Sequence, residues 1–284
     1  MRQAFLIIAH GDFLLLQRLI LALECPKVDF YVHIDAKVKF LPDLYVKGQS
    51  SLTVLNNRID TRWGDFSQIA TEMVLLEKAY HKGTYSHYHI ISGTHFPIKP
   101  IDEIIAYYDT MTGKTIFSGL CQSTFYQESL KLRQYNMFTR RLAYGSPRSR
   151  ILFQKIWRVS HDIQNLLKIR RNKNTSFYKA CNWASFSEAA VEFLLQEKKQ
   201  IKKIFGWSFC GDEYFAPTLL KESTLSEHMV SNDKILKQEM GDANTRVFTL
   251  DDFCNIMSSG CLFARKFSDS HLDVVERISE IIIK

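Results

Sequence analysis

Short apolar runs alternate with amphipathic segments over residues 1–120 of the chain. The short apolar run 4–9, rich in β-branched residues, predicts a buried strand. Four further strands are predicted at 28–34, 51–57, 86–92 and 114–120. Three segments with apolar residues at helical spacing predict helices, at 12–24, 65–83 and 100–109. Asp12 is the predicted N-cap of the first helix. Because strands alternating with helices indicate βαβ units, the sequence predicts an α/β fold whose mostly parallel sheet is flanked by helices.

The second part of the chain is more irregular. Residues 124–173 are rich in Lys and Arg around one predicted helix, 149–168, and a solvated basic face is the plainer interpretation of that segment. Three further helices are predicted over 187–204, 214–221 and 269–283. No internal repeat, low-complexity segment or linker interrupts the chain. We therefore predict a single domain over 1–284 that consists of two lobes, 1–120 and 121–284.

Charge and composition restrict the partners and the compartment. The 284 residues carry a net charge of +7 and a pI of about 9.0, which suits a nucleotide sugar, a nucleic acid or an anionic membrane face. Six cysteines without a C-x-x-C or a framework spacing indicate reduced thiols, mostly buried. The apolar run 4–9 is too short for a signal peptide, and no stretch approaches the ~20 residues needed to span a bilayer. We therefore expect a soluble, cytoplasmic protein.

The carboxyl ends of parallel strands are where such a sheet binds its ligands. The predicted ends lie at His10, Asp35 and Ser92. Neither Gly-x-Gly-x-x-Gly nor a P-loop motif occurs, so the sequence predicts neither a dinucleotide fingerprint nor a P-loop. A carboxylate at such an end can accept hydrogen bonds from a ribose or a base edge, although Asp35 alone could equally be a turn residue.

Two adjacent acids, Asp212 and Glu213, stand between a glycine and the apolar segment that begins at Tyr214. Acids in the first turn of a helix cap free N–H groups and complement the helix dipole. A partly desolvated carboxylate at the mouth of an apolar segment could instead bind a metal or take a proton from a substrate. The residues alone leave these three roles open.

His87, His89 and His95 suggest a metal site as an alternative hypothesis, because His87 and His89 share a face of the predicted strand. No carboxylate or Cys pair completes the set at a familiar spacing, so aromatic and polar residues lining a strand explain the pattern better. The chain also lacks Gly-x-Ser-x-Gly, which disfavours a serine hydrolase.

The chain contains no Asp-x-Asp, the usual metal clamp for a nucleotide diphosphate in this class of sheet. A diphosphate bound here would therefore need basic side chains. Two late segments offer them, Arg246 in RVFTLDDF and the pair Arg265–Lys266 in LFARKF. Their apolar flanks predict partial burial, where an ion pair to a nearby aspartate (Asp251, Asp252 or Asp269) would satisfy them equally well.

Seven segments, in order, carry a resemblance to a known family. They are AHGDFLLLQRLILAL, FYVHIDAK, RWGDFSQIATEMVLLEKA, YHIISGTHFPIK, GDEYFAPTLL, RVFTLDDF and LFARKF. Together they resemble the core-2/I-branching β-1,6-N-acetylglucosaminyltransferases, a family that includes the protein xylosyltransferases. The likeness covers nearly the whole chain except about residues 120–175. It implies a GT-A-type nucleotide-sugar fold and an inverting transfer from a UDP-sugar that needs no metal and no other cofactor.

The resemblance assigns catalytic roles to individual residues. It implies that Glu213, in GDEYF, is the catalytic base, and that Arg246 and Lys266 replace a metal ion at the diphosphate. Asp212 would then be a helix cap or an orienting neighbour of the base on the acceptor side.

The resemblance also implies where the nucleotide and the acceptor lie. Asp35, which closes the strand of FYVHID, would contact the uridine, and His10 and Trp63 would lie near the nucleotide. Trp183, in ACNWA, would lie on the acceptor side. In these terms lobe 1–120 binds the nucleotide, and lobe 121–284 holds the acceptor and the base.

The chain departs from the family pattern on the sugar and acceptor side. His95 in SGTHFPI stands where the family has an Asp, and ACNWA keeps Trp183 but lacks the Gly, Ser and second Trp of the family segment. Glu188 replaces an Arg. N-Acetylglucosamine is the expected sugar, while UDP-xylose, UDP-galactose and UDP-glucose stay open as alternative donors.

The expected partners are a nucleotide sugar and a glycan acceptor, with no nucleic acid. For a cytoplasmic transferase with basic patches, the natural acceptor is a lipid-linked glycan at the inner membrane face, with peripheral contact to an anionic membrane and a role in surface-polysaccharide synthesis. The alternative from another class is a non-enzymatic basic module that binds nucleic acid or a membrane through residues 131–173 and 198–203. That alternative predicts a steep dependence of binding on salt.

Overall fold

The structure, a computed structural model, describes residues 1–241 and 245–283. Its strands are β1 (Gln3–Ala9), β2 (Val28–Ile34), β3 (Ser51–Val54), β4 (His87–Ser92), β5 (Phe96–Pro97), β6 (Thr115–Phe117), β7 (Cys121–Gln122), β8 (Tyr178–Lys179), β9 (Ser185–Phe186), β10 (Met229–Ser231), β11 (Leu236–Gln238) and β12 (Phe263–Arg265). Its α-helices are α1 (Phe13–Leu23), α2 (Ser67–Tyr80), α3 (Ile101–Asp109), α4 (Phe125–Lys131), α5 (Thr139–Leu142), α6 (Pro147–Leu166), α7 (Glu188–Gln196), α8 (Lys198–Phe205), α9 (Phe215–Lys221), α10 (Phe253–Ser258) and α11 (Leu272–Ile282).

The central sheet has seven strands in the order β10-β6-β9-β4-β1-β2-β3. Parallel pairs join β3 to β2, β2 to β1, β1 to β4 and β10 to β6, whereas β9 runs antiparallel to both of its neighbours. The predicted α/β fold with a mostly parallel sheet is confirmed. Strands from both parts of the chain enter this sheet, and the division into two lobes stays a prediction.

Helices cover both faces of the sheet, because alternate side chains of each central strand point to opposite sides. Phe5 and Ile7 of β1 pack into a core that includes residues of α1, α3 and α11. Ala4 and Leu6 pack into a second core with residues of α2, α7 and α9. The apolar runs that predicted β1 and β2 are thus buried on both faces, as in other parallel sheets.

A second, three-stranded sheet in the order β11-β12-β5 holds the late basic segment beside the end of β4. β12 runs antiparallel to β5, which pairs Ala264 with Phe96. Just past β12, the N–H of Phe267 donates to the carbonyl oxygen of Thr94 at 3.0 Å. These contacts fix Arg265 and Lys266 next to the carboxyl edge of the central sheet.

Most predicted elements occur within a few residues of their predicted bounds, but the single helix over 187–204 is wrong. The chain forms α7 and α8 there, separated by Glu197, whose backbone (φ −87°, ψ 13°) ends one helix and starts the next. Cys25, Cys210 and Cys261 are buried, whereas Cys121 and Cys254 are exposed. In the described ranges, no helix is both long and apolar enough to cross a bilayer.

The prediction that Asp12 is the N-cap of α1 is confirmed for its position but not for a capping bond from its side chain. Asp12 stands at the N-cap position, but its backbone is left-handed (φ 53°) and its carboxylate makes no capping bond to α1. Its Oδ1 accepts instead from the N–H of Asp269 and from the hydroxyl of Ser268, both at 2.8 Å. Oδ1 of Asp269 in turn accepts from the N–H of Leu15 at 2.8 Å. Asp269 therefore caps the first turn of α1, and Asp12 caps the turn at 269–271.

We expect Asp269→Ala to lower the free energy of unfolding by about 1 kcal/mol, because the first turn of α1 loses its capping carboxylate. Urea denaturation followed by circular dichroism measures the change. Asp43→Ala removes an exposed loop aspartate and should be nearly neutral. An equal loss in both variants would show that Asp269 does not act as a cap.

Candidate active site

A cleft of about 820 Å³ opens where the carboxyl ends of β6, β11 and β12 meet the segment 179–183 and the turn 211–213. Its volume lies within the range of small-molecule sites, roughly 300–1,000 Å³. Five of the eight residues predicted for the site line it, namely Trp63, Trp183, Asp212, Glu213 and Lys266. Distant parts of the sequence therefore meet at one concave surface.

The two acids lie on a tight 3₁₀ turn, Gly211–Glu213, and not in the first turn of α9. Cys210, with a left-handed backbone (φ 53°), directs the chain into this turn. The fully buried rings of Tyr214 and Phe215 anchor it from behind, and the carbonyl oxygen of Glu213 accepts from the N–H of Ala180 at 2.9 Å. The turn is therefore held on both sides, and its two carboxylates have fixed but different surroundings.

Asp212 is the buried acid of the pair. Its Oδ2 accepts a hydrogen bond from Nε2 of Gln68 on α2 at 3.0 Å. Burial, and secondly the charge of Glu213, raise the pKa of Asp212 to about 7. Cys210 and Tyr214 occupy the N-cap positions of the turn and of α9, and the role of Asp212 as a cap or as a neighbour of the base stays a prediction.

Glu213 is the accessible acid of the pair. About a third of its side chain is exposed (33%), and its Oε2 lies 3.2 Å from Nζ of Lys179 and 3.9 Å from Nζ of Lys131. A group entering the cleft can reach this carboxylate, whereas the buried Asp212 is already engaged with Gln68. The geometry therefore favours Glu213 over Asp212 for contact with a substrate.

Arg265 and Lys266 supply positive charge to the same cleft. Nη1 of Arg265 donates to Oγ1 of Thr245 at 3.0 Å, and its guanidinium carbon lies 5.0 Å above the ring of Trp183. Burial lowers the pKa of Arg265. In the described residues, neither Arg265 nor Lys266 forms an ion pair with a carboxylate. An anion that enters the cleft would meet two uncompensated cations there.

Arg246 has a different environment. Its Nη2 lies 2.7 Å from Oδ1 of Asp252 and 2.6 Å from Oε2 of Glu239. The hydrogen bond to Asp252, and then that to Glu239, raise the pKa of Arg246. Arg246 is not among the described residues that line the cleft. Its predicted role at the diphosphate stays a prediction, and an ion pair to Asp252, one of the alternatives from the sequence, is present.

Asp35 and His10 follow the ends of β2 and β1 and are not among the described residues that line the cleft. The Asp35 carboxylate is buried and accepts from the backbone N–H and from Nζ of Lys37, at 2.8 and 2.6 Å. Partial burial, and then the charge of Lys266, lower the pKa of His10, while Asp35 acts in the opposite direction. The structure therefore brings His10, Asp35 and Lys266 into one electrostatic neighbourhood, and their contact with a nucleotide stays a prediction.

Two of the three histidines that suggested a metal site, His89 and His95, have hydrogen-bond partners in the fold. His89 pairs its ring nitrogens with Oγ of Ser185 at 2.8 Å and Oε1 of Gln3 at 3.0 Å. Nδ1 of His95 lies 3.0 Å from the backbone nitrogen of Ser92. Burial lowers the pKa of both His89 and His95. Across the described parts of the chain, no group of three or more His, Cys, Asp or Glu residues could hold a metal ion.

One departure from the family pattern, His95, contacts Trp183, which the chain keeps from that pattern. The rings of His95 and Trp183 meet edge to face with 5.0 Å between centroids, and the guanidinium of Arg265 also contacts Trp183. The sequence change at His95 therefore lies behind Trp183, a residue of the cleft wall, and Arg265 lies in the same wall.

Three cleft residues were not assigned by sequence reasoning. Arg265 stands beside Lys266 in LFARKF, which was a signal, but the role was given to Lys266 alone. Lys179 and Gln68 carry no motif that marks them, and they enter the site because β8 and α2 bring them to the turn that holds Glu213 and Asp212.

A carboxylate beside unpaired cations can perform two tasks at once. The cations can stabilise an anionic leaving group, and the carboxylate can accept a proton from a nucleophile. This combination is found here within one cleft, between Glu213 and the pair Arg265–Lys266.

Comparison with protein-family models gives a match to the model described as "Branch: Core-2/I-Branching enzyme", over residues 3–246. No curated protein matches the chain. The family match includes Glu213 and Arg246 and ends before Arg265 and Lys266, so the placement of the last two residues rests on the structure.

Proposed function

The chain belongs to the core-2/I-branching enzymes, a family of glycosyltransferases, and we propose that it moves a sugar from a UDP-sugar to a glycan hydroxyl with inversion at the anomeric carbon. The match over residues 3–246 confirms the family and contains five of the seven sequence segments that carried the resemblance, and the seven-stranded sheet is that of a GT-A-like fold. A nucleotide-sugar donor and a glycan acceptor follow from the family. The identity of the donor, the inversion and the independence from metal are proposals argued from the cleft.

The proposed reaction is a single displacement. The oxygen of the acceptor hydroxyl forms a bond to the anomeric carbon from the face opposite UDP, and the bond from that carbon to the diphosphate oxygen breaks, so that UDP leaves with the electron pair. Glu213 takes the hydroxyl proton, which is worth roughly 10²–10⁴-fold in rate. The accessibility of Glu213, compared with the buried Asp212, supports this assignment.

One observation carries the proposal, namely that Arg265 and Lys266 stand without carboxylate partners, among the residues described, in the cleft that holds Glu213. Two fixed positive charges can stabilise the negative charge that develops on the leaving diphosphate. We therefore place the diphosphate at Arg265 and Lys266. Arg246, the second cation expected from the resemblance, stays a candidate that the binding experiments described below can test.

We expect UDP to bind with the same affinity, within about threefold, in excess EDTA and in excess Mn²⁺. The reason is that the chain has no Asp-x-Asp to hold an ion and offers two cations for the diphosphate. Isothermal titration calorimetry under both conditions gives the comparison. A gain of tenfold or more with Mn²⁺, about 1.4 kcal/mol, would contradict a diphosphate site built from side chains alone.

N-Acetylglucosamine is the proposed sugar, and UDP-xylose, UDP-galactose and UDP-glucose are the alternatives. His95, where the sequence departs from the family, packs behind Trp183 in the cleft wall, so the sugar is the least constrained part of the donor. A panel of these nucleotide sugars, measured by thermal shift and by slow hydrolysis, identifies the donor without the acceptor. If no UDP-sugar raises the melting temperature, the proposed function is wrong.

A further inference from the structure

Positive charge is concentrated in the segment 124–173. This segment contains 12 Lys and Arg residues and 2 acids, whereas the rest of the chain contains 25 basic and 28 acidic residues. The segment therefore carries a net charge of +10 and the remainder −3. An anionic partner would be attracted to this segment and not to the molecule as a whole.

Helix α6, inside this segment, exposes a continuous apolar stripe. The stripe consists of Leu152, Ile156, Val159, Ile163 and Leu166, all exposed. Their spacing of four, three, four and three residues places them on one face of the helix. Exposed basic side chains stand on the same helix, at Arg148, Arg150, Lys155 and Arg158.

The other face of α6 fixes its orientation on the protein. Ser160, His161 and Gln164 are buried. Nε1 of Trp157 donates to Oδ1 of Asn136 at 3.0 Å, and Oε1 of Gln164 accepts from the N–H of Tyr135 at 2.7 Å. Because α6 is docked through this polar face, its apolar stripe faces away from the fold.

The docked helix lies close to the rim of the cleft. The ring of Trp157 contacts Phe209 with 5.9 Å between centroids, and Phe209 contacts the exposed Trp63 at 5.2 Å. The N–H of Trp63 also donates to the hydroxyl of Tyr144, just before α6, at 3.3 Å. A surface that binds α6 would therefore lie next to the Trp63 side of the cleft.

An apolar stripe among basic residues is characteristic of helices that lie in the interface of an anionic membrane, with Lys and Arg at the headgroups and the apolar face in the acyl boundary. A second copy of the chain fits less well, because it would bring two segments of charge +10 together. A nucleic acid would leave the apolar stripe without a partner.

We propose that α6 is a membrane-binding helix, which inserts its apolar stripe into the interface of an anionic lipid bilayer and holds the Trp63 side of the cleft at the membrane surface. This contact does not depend on the proposed sugar transfer. Its consequence, that the cleft is presented to a lipid-linked acceptor, does rest on the proposed function.

Co-sedimentation with lipid vesicles tests the contact on the full chain. We expect binding to phosphatidylcholine vesicles that contain one third phosphatidylglycerol, at least ~10-fold stronger than binding to pure phosphatidylcholine. Raising NaCl from about 50 to about 500 mM should weaken the binding, because the lipid charge is screened. Absence of binding to the anionic vesicles would overturn the proposal.

The variant Leu152→Gln/Val159→Gln/Ile163→Gln tests the stripe, since Gln keeps helix propensity and removes apolar surface. It should bind anionic vesicles at least ~10-fold more weakly. The control Leu41→Gln/Ile281→Gln removes exposed apolar residues elsewhere and should bind like the unmodified protein. If the stripe variant binds as well as the unmodified protein, the contact is electrostatic alone and the proposal is wrong.

A matched pair of charge variants tests the basic residues. Arg148→Glu/Lys155→Glu/Arg158→Glu should lose vesicle binding at least ~10-fold, while Lys47→Glu/Lys78→Glu/Lys82→Glu, with the same change in net charge, should retain most of it. Equal losses in both variants would show that net charge, and not α6, determines binding.

Two further measurements separate the possible failures. If sedimentation velocity shows that the unmodified protein is a dimer and the stripe variant a monomer, and the protein does not bind vesicles, then the apolar stripe contacts a second copy of the chain and the membrane proposal is wrong. Every variant should keep its far-UV circular dichroism and its thermal shift with UDP, since α6 contributes no residue to the cleft. A protein that binds vesicles but no UDP-sugar would refute the proposed function and support the membrane contact. A protein that binds a UDP-sugar but no vesicles would support the proposed function and refute the membrane contact.

Discussion

Replacing Arg265 with alanine should weaken UDP binding by roughly 1.5–3 kcal/mol, the range for a hydrogen bond to a charged group, and leave uridine binding nearly unchanged. Arg265 lines the cleft, and its only described polar partner is the neutral hydroxyl of Thr245. Its charge is therefore available to the diphosphate, which uridine lacks. Lys266→Ala should act in the same direction. Calorimetric titration of each variant with UDP and with uridine gives the two affinities.

Arg246→Ala is the matched control for the Arg265→Ala and Lys266→Ala variants. Asp252 and Glu239 already neutralise Arg246, so its removal should change UDP affinity by less than about threefold. A loss in Arg246→Ala as large as in Arg265→Ala would restore the assignment implied by the resemblance. If the Arg265 variant loses UDP and uridine equally, the residue has a structural role and the diphosphate lies elsewhere.

The sequence predicts three strands of the central sheet well because they are long and buried on both faces. β1, β2 and β4 are six or seven residues long, and an apolar run of that length has few alternatives. β9 is only Ser185–Phe186, yet it fills the place between β4 and β6. Two residues are too few to show a period, so this antiparallel strand and the second sheet could not be predicted from local pattern.

The sequence predicts the site residues that lie in the ordered motifs. It misses the residues whose role depends on their ion-pair partners in the fold. Glu213 and Lys266 come together in the cleft although 53 positions separate them in the sequence. Sequence reasoning could not tell which late arginine is free, because Arg246 and Arg265 both have apolar flanks. The difference depends on Asp252 and Glu239, which the fold brings to Arg246 only. Likewise, the burial that separates Asp212 from Glu213 depends on α2, far away in the sequence.

Replacing Glu213 with glutamine should reduce sugar transfer by at least about 100-fold while the affinity for the UDP-sugar stays within a few-fold. Gln keeps the shape and the hydrogen-bonding size of the side chain but cannot accept a proton. Lys179 and Lys131 lie near the Glu213 carboxylate, so the thermal stability of the variant must be compared with that of the unmodified enzyme. Transfer to a working acceptor gives the rate, and hydrolysis of the donor is a weaker substitute.

Asp212→Asn is the matched control, because it makes the same exchange of carboxylate for amide on the neighbouring residue. Asp212 is buried and bonded to Gln68, so we expect the variant to keep most of the turnover. The pKa of Asp212 near 7 means that this carboxylate gains a proton as the pH falls below neutrality, and the variant should lose any step in activity that comes from that titration. An active Glu213→Gln enzyme, or a folded but inactive Asp212→Asn enzyme, would move the role of the base from Glu213 to its neighbour.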